Sequence, residues 1–263
     1  MVRTRSAPDV KLLTKGALQH DFLHEWATPP DGNCLFSSVA GMLRRTSDDA
    51  ASSHRLQKVD ETLSRHGQRW KCSDATPTIL RHMVASCALD ETCTILNHAI
   101  PGWIEIARAL EAEQDRAMMI EYEHVRCIMD AKDPTKLTRN ERRRLYASMS
   151  HRNFWGEQVA LQILKQFLGI ALLVVDGQGS VLFQFDADEK LPESGLYALL
   201  HLSGRHYTPL SRDGQFLFYE NELPFAISRQ IVDMDVHGRI LSKQGRETVM
   251  QADAAWAAKS RHG

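Results

Sequence analysis

The chain has 263 residues, 43% hydrophobic and 25% charged, with a formal net charge of -1. That supports one large domain with a sizeable core, and it sets up no global field towards nucleic acid or an anionic membrane. No apolar run approaches the roughly 20 residues that span a bilayer.

In chain order, residues 1–16 are polar and basic, lack the apolar core of a secretory signal, and read as a flexible lead-in. Residues 17–26 predict a short helix, stopped before Thr28-Pro29-Pro30 because proline disfavours helix in the residue before it. The turn-forming run Pro30-Asp31-Gly32-Asn33 follows. Leu35, Val39, Met42 and Leu43 then recur at helical spacing, which places Cys34 in or just before the first turn of a helix.

Residues 46–150 are nearly all helical in pattern. Ile79, Met83 and Cys87 form one stripe, and Ile104, Ala107 and Leu110 another. Thr138 with Glu141 fits a capping box at the start of a further helix. Arg139, Arg142, Arg143 and Arg144 read as a solvated helix face, since no aromatic residues interleave with them for stacking on bases. After Trp155-Gly156, an amphipathic helix carries Ala160, Ile163, Leu164 and Phe167 on one face and stops at Gly169.

The apolar run 170–175 predicts a strand buried on both faces. Asp176-Gly177-Gln178-Gly179 turns it into 180–185, where Val181, Phe183 and Phe185 share a face. Leu196, Ala198, Leu200 and Leu202 alternate in a third strand, and 215–219 predicts a fourth after Asp213-Gly214. A terminal helix is expected over 252–259. Leading helices followed by a late group of strands give an α+β expectation.

Five cysteines with no CxxC pair argue against a disulfide scaffold and for a reducing compartment. Cys72, Cys87, Cys93 and His98 do not match the paired spacing of structural zinc sites. They read as buried free thiols, and no metal is expected.

Cys34 carries the chemistry. A cysteine entering a helix from a turn gains from the positive end of the helix dipole. A free thiol of pKa about 8.5 falls by several units when a helix N-terminus and an imidazolium act together. A distant histidine can supply that base. Among the twelve histidines, His206 follows the turn Ser203-Gly204-Arg205. His201 sits inside the third strand and reads as a packed or surface residue.

The run Asp31-Gly32-Asn33-Cys34-Leu35-Phe36, with Trp155-Gly156 and then Gly204-Arg205-His206-Tyr207 later, resembles the ovarian tumour (OTU) family of deubiquitinating cysteine proteases. The resemblance is strongest over 28–40 and 154–210. It implies an OTU-like fold, a small late β-sheet packed between helices, with a long helical insertion at about 46–150. The catalytic domain would span 17–222, with a C-terminal helical extension over 223–263.

It further implies a thiol hydrolase cleaving isopeptide bonds after the C-terminal Gly-Gly of ubiquitin, with no cofactor. Its partners would be ubiquitin, polyubiquitin chains and ubiquitinated proteins. Cys34 would be the nucleophile and His206 the base, with Asp31 as the third catalytic residue. The backbone amides around Gly32, Asn33 and Cys34 would hold the oxyanion. Many members place Asp or Asn two residues after the histidine, where this chain has Thr208. Ala160 replaces a usual glutamate, whereas Leu161 fits.

The basic ubiquitin tail calls for acidic groups, for which Glu157, Asp186, Asp188 and Glu189 are available. Exposed apolar surface on the 46–150 block would grip ubiquitin itself. The expected location is cytoplasmic, or the host cytosol if the chain is a microbial or viral effector. Two alternatives remain at this stage: a catalytically weak or inactive OTU-fold ubiquitin-binding module, and a protease for another ubiquitin-like modifier.

Overall fold

The structure, a computed structural model, describes residues 10–12, 23–90, 138–150, 158–177, 179–182, 194–204 and 206–235. In chain order the elements are β1 (Val10–Leu12), β2 (Leu23–Trp26), α1 (Cys34–Asp48), α2 (Leu56–Arg65) and α3 (Pro77–Ala88). Then come α4 (Arg139–Ser150), α5 (Gln158–Leu168), β3 (Ile170–Val175), β4 (Leu196–Ser203), β5 (His206–Arg212), β6 (Leu217–Tyr219) and α6 (Phe225–Asp235). None of the described helices is long and apolar enough to cross a membrane.

One sheet runs β1-β2-β5-β4-β3, with β6 also on β4. Only the β3–β4 pairing is parallel, from Ile170 opposite Leu196 to Val175 opposite His201. β5 lies antiparallel to both β4 and β2, with Leu210 opposite Leu199 on one side and Glu25 on the other. At its far end β5 is followed by β6 along the same edge of β4, after a tight excursion through Asp213 and Gly214, both at positive φ.

Alternation along the strands sends side chains to two apolar layers. Leu196, Ala198, Leu200, Tyr207, Ile170, Leu172 and Val174 pack in one cluster with residues of α1, α2, α3, α4 and α5. Leu23, Leu173, Tyr197, Leu199, Leu210 and Phe218 pack on the opposite side with Ile227 and Ile231 of α6. The architecture is mixed α/β, a small sheet between helices, in keeping with the expected class.

Several elements follow the sequence closely. β3 is buried at all six positions. Asp176 Oδ1 accepts from Ser180 N–H at 2.8 Å, and Val181 bridges back to Val175, so the expected turn forms. The Thr138 hydroxyl accepts from Glu141 N–H at 3.3 Å while the Glu141 carboxylate accepts from Thr138 N–H at 2.7 Å, a complete capping box. Arg139, Arg143 and Arg144 are exposed, and Arg142 donates to the Leu89 carbonyl.

Other expectations need correction. Residues 23–26 form a strand rather than the end of a helix, because Leu23 and Glu25 find partners in β5, and long-range pairing outweighs local propensity. The lead-in is not wholly free, since Val10–Leu12 adds an edge strand to β2. Residues 206–212, beyond the expected turn, are a strand although Pro209 removes a ladder donor. Cys72 is a buried free thiol, but Cys87 is disulfide-bonded.

The described parts of the 46–150 block bury their apolar residues. Leu56, Val59, Leu63, Leu80, Met83, Val84, Leu145 and Met149 all join the sheet's core. Among the described residues the exposed large hydrophobic is Leu182, outside the block. The apolar grip on ubiquitin expected here is therefore absent from the described part, which acts as a buttress. The stripe Ile104, Ala107 and Leu110 and the helix 252–259 lie outside the described residues.

Arg55, just before α2, clasps β6. Its guanidinium donates to both carboxylate oxygens of Glu222 and to the Leu217 carbonyl. Burial alone would raise the Glu222 pKa, but hydrogen bonds from Arg55, the Tyr219 N–H and Gln215 hold it below the usual carboxylate range. The stabilisation is present above the unfolded value of about 4.3 and is lost as pH falls through the folded value. Glu222→Gln should cost about 1–2 kcal/mol at pH 7. That difference from wild type should shrink in melting curves as the pH falls below the ordinary carboxylate range.

Candidate functional site

Gly32 takes φ 73°, a left-handed turn conformation that suits glycine. Asp31 Oδ1 accepts from Asn33 N–H at 3.1 Å, an Asx-type turn. Asn33 is the N-cap of α1, and its carbonyl accepts the first helical bond, from Ser37 N–H at 2.7 Å. Cys34 is therefore the first residue of the helix, 3% exposed and packed in the larger apolar cluster. The Asn33 N–H is taken by Asp31.

His206 is the first residue of β5 and is half-buried. Two hydroxyls tie its strand to the nucleophile region. Ser38, one turn along α1 from Cys34, donates to the Tyr207 carbonyl at 3.0 Å. Thr28, in the loop before Cys34, donates to that carbonyl at 2.7 Å and lies 3.3 Å from His206 Nε2. These contacts bring the start of α1 and the start of β5 together from positions about 170 residues apart.

Thr28 has a consequence for the ring. Its single proton is directed at the Tyr207 carbonyl, so towards His206 it can only accept. That assigns the neutral ring's proton to Nε2 and leaves Nδ1 as its basic nitrogen.

Thr208 shares its sheet face with His206. Its hydroxyl donates to Glu25 Oε1 at 2.6 Å, and the same oxygen lies 3.0 Å from His201 Nδ1. His201 is thus a buried strand residue with a carboxylate partner. Asp31 is exposed and acts in the turn. Trp155, Gly156, Glu157, Asp186, Asp188 and Glu189 lie outside the described residues. Ala160 and Leu161 are buried on α5.

Comparison with solved structures finds a likeness to one described as an ovarian tumour (OTU) domain in complex with ubiquitin. Identity is 16%, the TM-score is 0.37, and the match covers 76% of this chain and 76% of that one. No protein-family model matches the chain. No curated protein matches it either. The functional reading rests on the residues of the site.

Three contributors escaped sequence reasoning: Thr28, Glu25 and Arg81. Arg81 of α3 donates to Asn33 Oδ1 through Nε (3.1 Å) and Nη2 (2.9 Å), and to the Gly32 carbonyl at 3.0 Å. No local pattern marks them, because each acts across a tertiary contact.

The two described free cysteines differ in setting. Burial, with Asp60 hydrogen-bonded to it, pushes the Cys72 thiol far above its ordinary pKa. Cys72 is therefore a protonated, inert thiol at neutral pH, whereas Cys34 opens a helix beside a histidine-bearing strand.

Proposed function

We propose that the chain is a cysteine-type deubiquitinase, hydrolysing isopeptide bonds after the ubiquitin C-terminal Gly-Gly. The observation that supports the reading is the pair of hydroxyl contacts, from Ser38 of α1 and Thr28 before it to the Tyr207 carbonyl, that tie the head of α1 to the His206 end of β5. Substrate class follows from the resemblance of the Asp31–Phe36 run and the Gly204–Tyr207 run to OTU proteases.

His206 Nδ1 takes the Cys34 proton, and the thiolate attacks the scissile carbonyl. The Cys34 N–H and the following first-turn amides stabilise the oxyanion. The imidazolium then protonates the departing lysine amine, and water hydrolyses the thioester with His206 again as base. Thr28 fixes the ring tautomer. Thr28 is thereby also the residue that orients the ring, while the Thr208 hydroxyl donates to Glu25 Oε1, the oxygen that His201 Nδ1 also reaches. Asp31 contributes by closing the turn. A cytoplasmic location, in a host cell if the chain is an effector, belongs to the same proposal.

The test is covalent capture. Ubiquitin carrying a C-terminal electrophile should shift the wild-type chain on a denaturing gel by the mass of one ubiquitin and leave Cys34→Ala unshifted. A shift that survives Cys34→Ala, or none with wild type, overturns the proposal. A parallel probe built on another ubiquitin-like modifier tells which tail the cleft accepts.

A further inference from the structure

β5 outruns its neighbour β2. Their pairing runs from Arg212 opposite Leu23 to Leu210 opposite Glu25, whereas on the β4 side β5 continues to His206 opposite Ser203. Tyr207 therefore lies beyond the last β2 partner, and it is buried. A buried carbonyl without a donor costs free energy. Two hydroxyls meet this one: Ser38 at 3.0 Å and Thr28 at 2.7 Å. A carbonyl oxygen has two lone pairs, so both bonds form together.

Ser38 is fully buried. It stands four residues after Cys34, so the two share a face of α1, about 5.4 Å apart along the axis. A serine inside a helix often turns its hydroxyl back to the carbonyl four residues before it. Ser38 instead sends its proton across to β5. His206 precedes Tyr207 by one residue, about 3.3 Å along the strand. From Cys34 to His206 the path is one helical turn, one hydrogen bond and one peptide unit.

We infer that Ser38 is a positioning residue for the base: its bond to the Tyr207 carbonyl sets the height of His206 against Cys34. Thr28 holds the same carbonyl from the loop before the helix. The inference rests on the reading of Cys34 and His206 as nucleophile and base.

The experiment uses a reaction of Cys34 that needs no ubiquitin, acylation by p-nitrophenyl acetate. His206 takes the thiol proton, and sulfur bonds to the acetyl carbon as the carbonyl π pair moves to oxygen. Return of that pair expels p-nitrophenolate. The rate is measured at neutral pH for wild type, Ser38→Ala, His206→Ala and the double variant, with Cys34→Ala as blank and melting temperature recorded.

Ser38→Ala should slow acylation about tenfold when His206 is present, the scale of a small misplacement. Once His206 is gone it should slow the reaction by less than about twofold, because a residue acting through the base has nothing left to act on. Ser38→Thr, which retains the hydroxyl, should recover most of the rate. Alanine is a strong helix former and the Tyr207 carbonyl keeps Thr28, so the alanine variant should melt only a few degrees below wild type.

No slowing by Ser38→Ala, equal slowing in both backgrounds, or failure of the variant to fold overturns the inference and leaves the catalytic reading standing. If His206→Ala itself leaves the rate unchanged, the base assignment falls and the inference with it. If ubiquitin substrates prove inert while the loss still depends on His206, the deubiquitinase reading fails and the role of Ser38 stands.

Discussion

Cys34→Ala should reduce ubiquitin-chain cleavage by at least about 10⁴-fold, the scale seen when a catalytic nucleophile is removed. Cys72→Ala should leave turnover within about twofold. Both thiols are buried, so burial does not separate them; surroundings do. Cys34 opens α1, and one turn on Ser38 ties that helix to β5 at Tyr207. Cys72 sits against the Asp60 carboxylate, which together with burial opposes ionisation. Trimming Cys72 to a methyl should cost about 1 kcal/mol of stability, as for a small buried group. Turnover on a defined ubiquitin dimer and a thermal melt read the two effects separately. Comparable loss of activity from both variants, with both folded, would remove Cys34 from its assigned role.

The second large effect is on the base. His206→Ala should lower turnover by about 10³-fold or more, with the fold intact because His206 is half-buried at a strand end. His201→Ala should do the opposite. It removes the imidazole 3.0 Å from the half-buried Glu25 Oε1 and leaves that oxygen with Thr208, costing about 1 kcal/mol and a few degrees of melting temperature, with turnover per folded molecule retained. Thr28→Val, which removes the hydroxyl at His206 Nε2, should fall between them by loosening the tautomer. Equal losses from His206→Ala and His201→Ala in folded protein would leave the base unassigned.

The elements legible in the sequence were those written in local periodicity. The apolar run of β3, the alternation of β4, the stripe of α5 and the Thr138 box each carry their signal within a dozen residues. β2 and β5 do not. Leu23–Trp26 is too short for its alternation to outvote a helical reading, and its strand character comes from β5, nearly two hundred residues downstream. Pro209 inside β5 argues against a strand when read alone. At the candidate site, Cys34 and His206 are singled out by the turn before each and by the resemblance of their runs to OTU proteases, and Ser38 and Thr28 link their two elements. Arg81 could not be picked out, since a single arginine on a helix reads as solvated until α3 is seen to pack behind the nucleophile loop.

The position of β5 between β2 and β4 has a consequence for biogenesis. The nucleophile helix leaves the ribosome about 170 residues before His206, on the order of 10–30 s at ordinary elongation rates. Throughout that interval β2 lacks its inner neighbour. Under the proposed mechanism a nascent or prematurely terminated chain would carry Cys34 without its base, and competence would arrive only when the last central strand slots into the sheet.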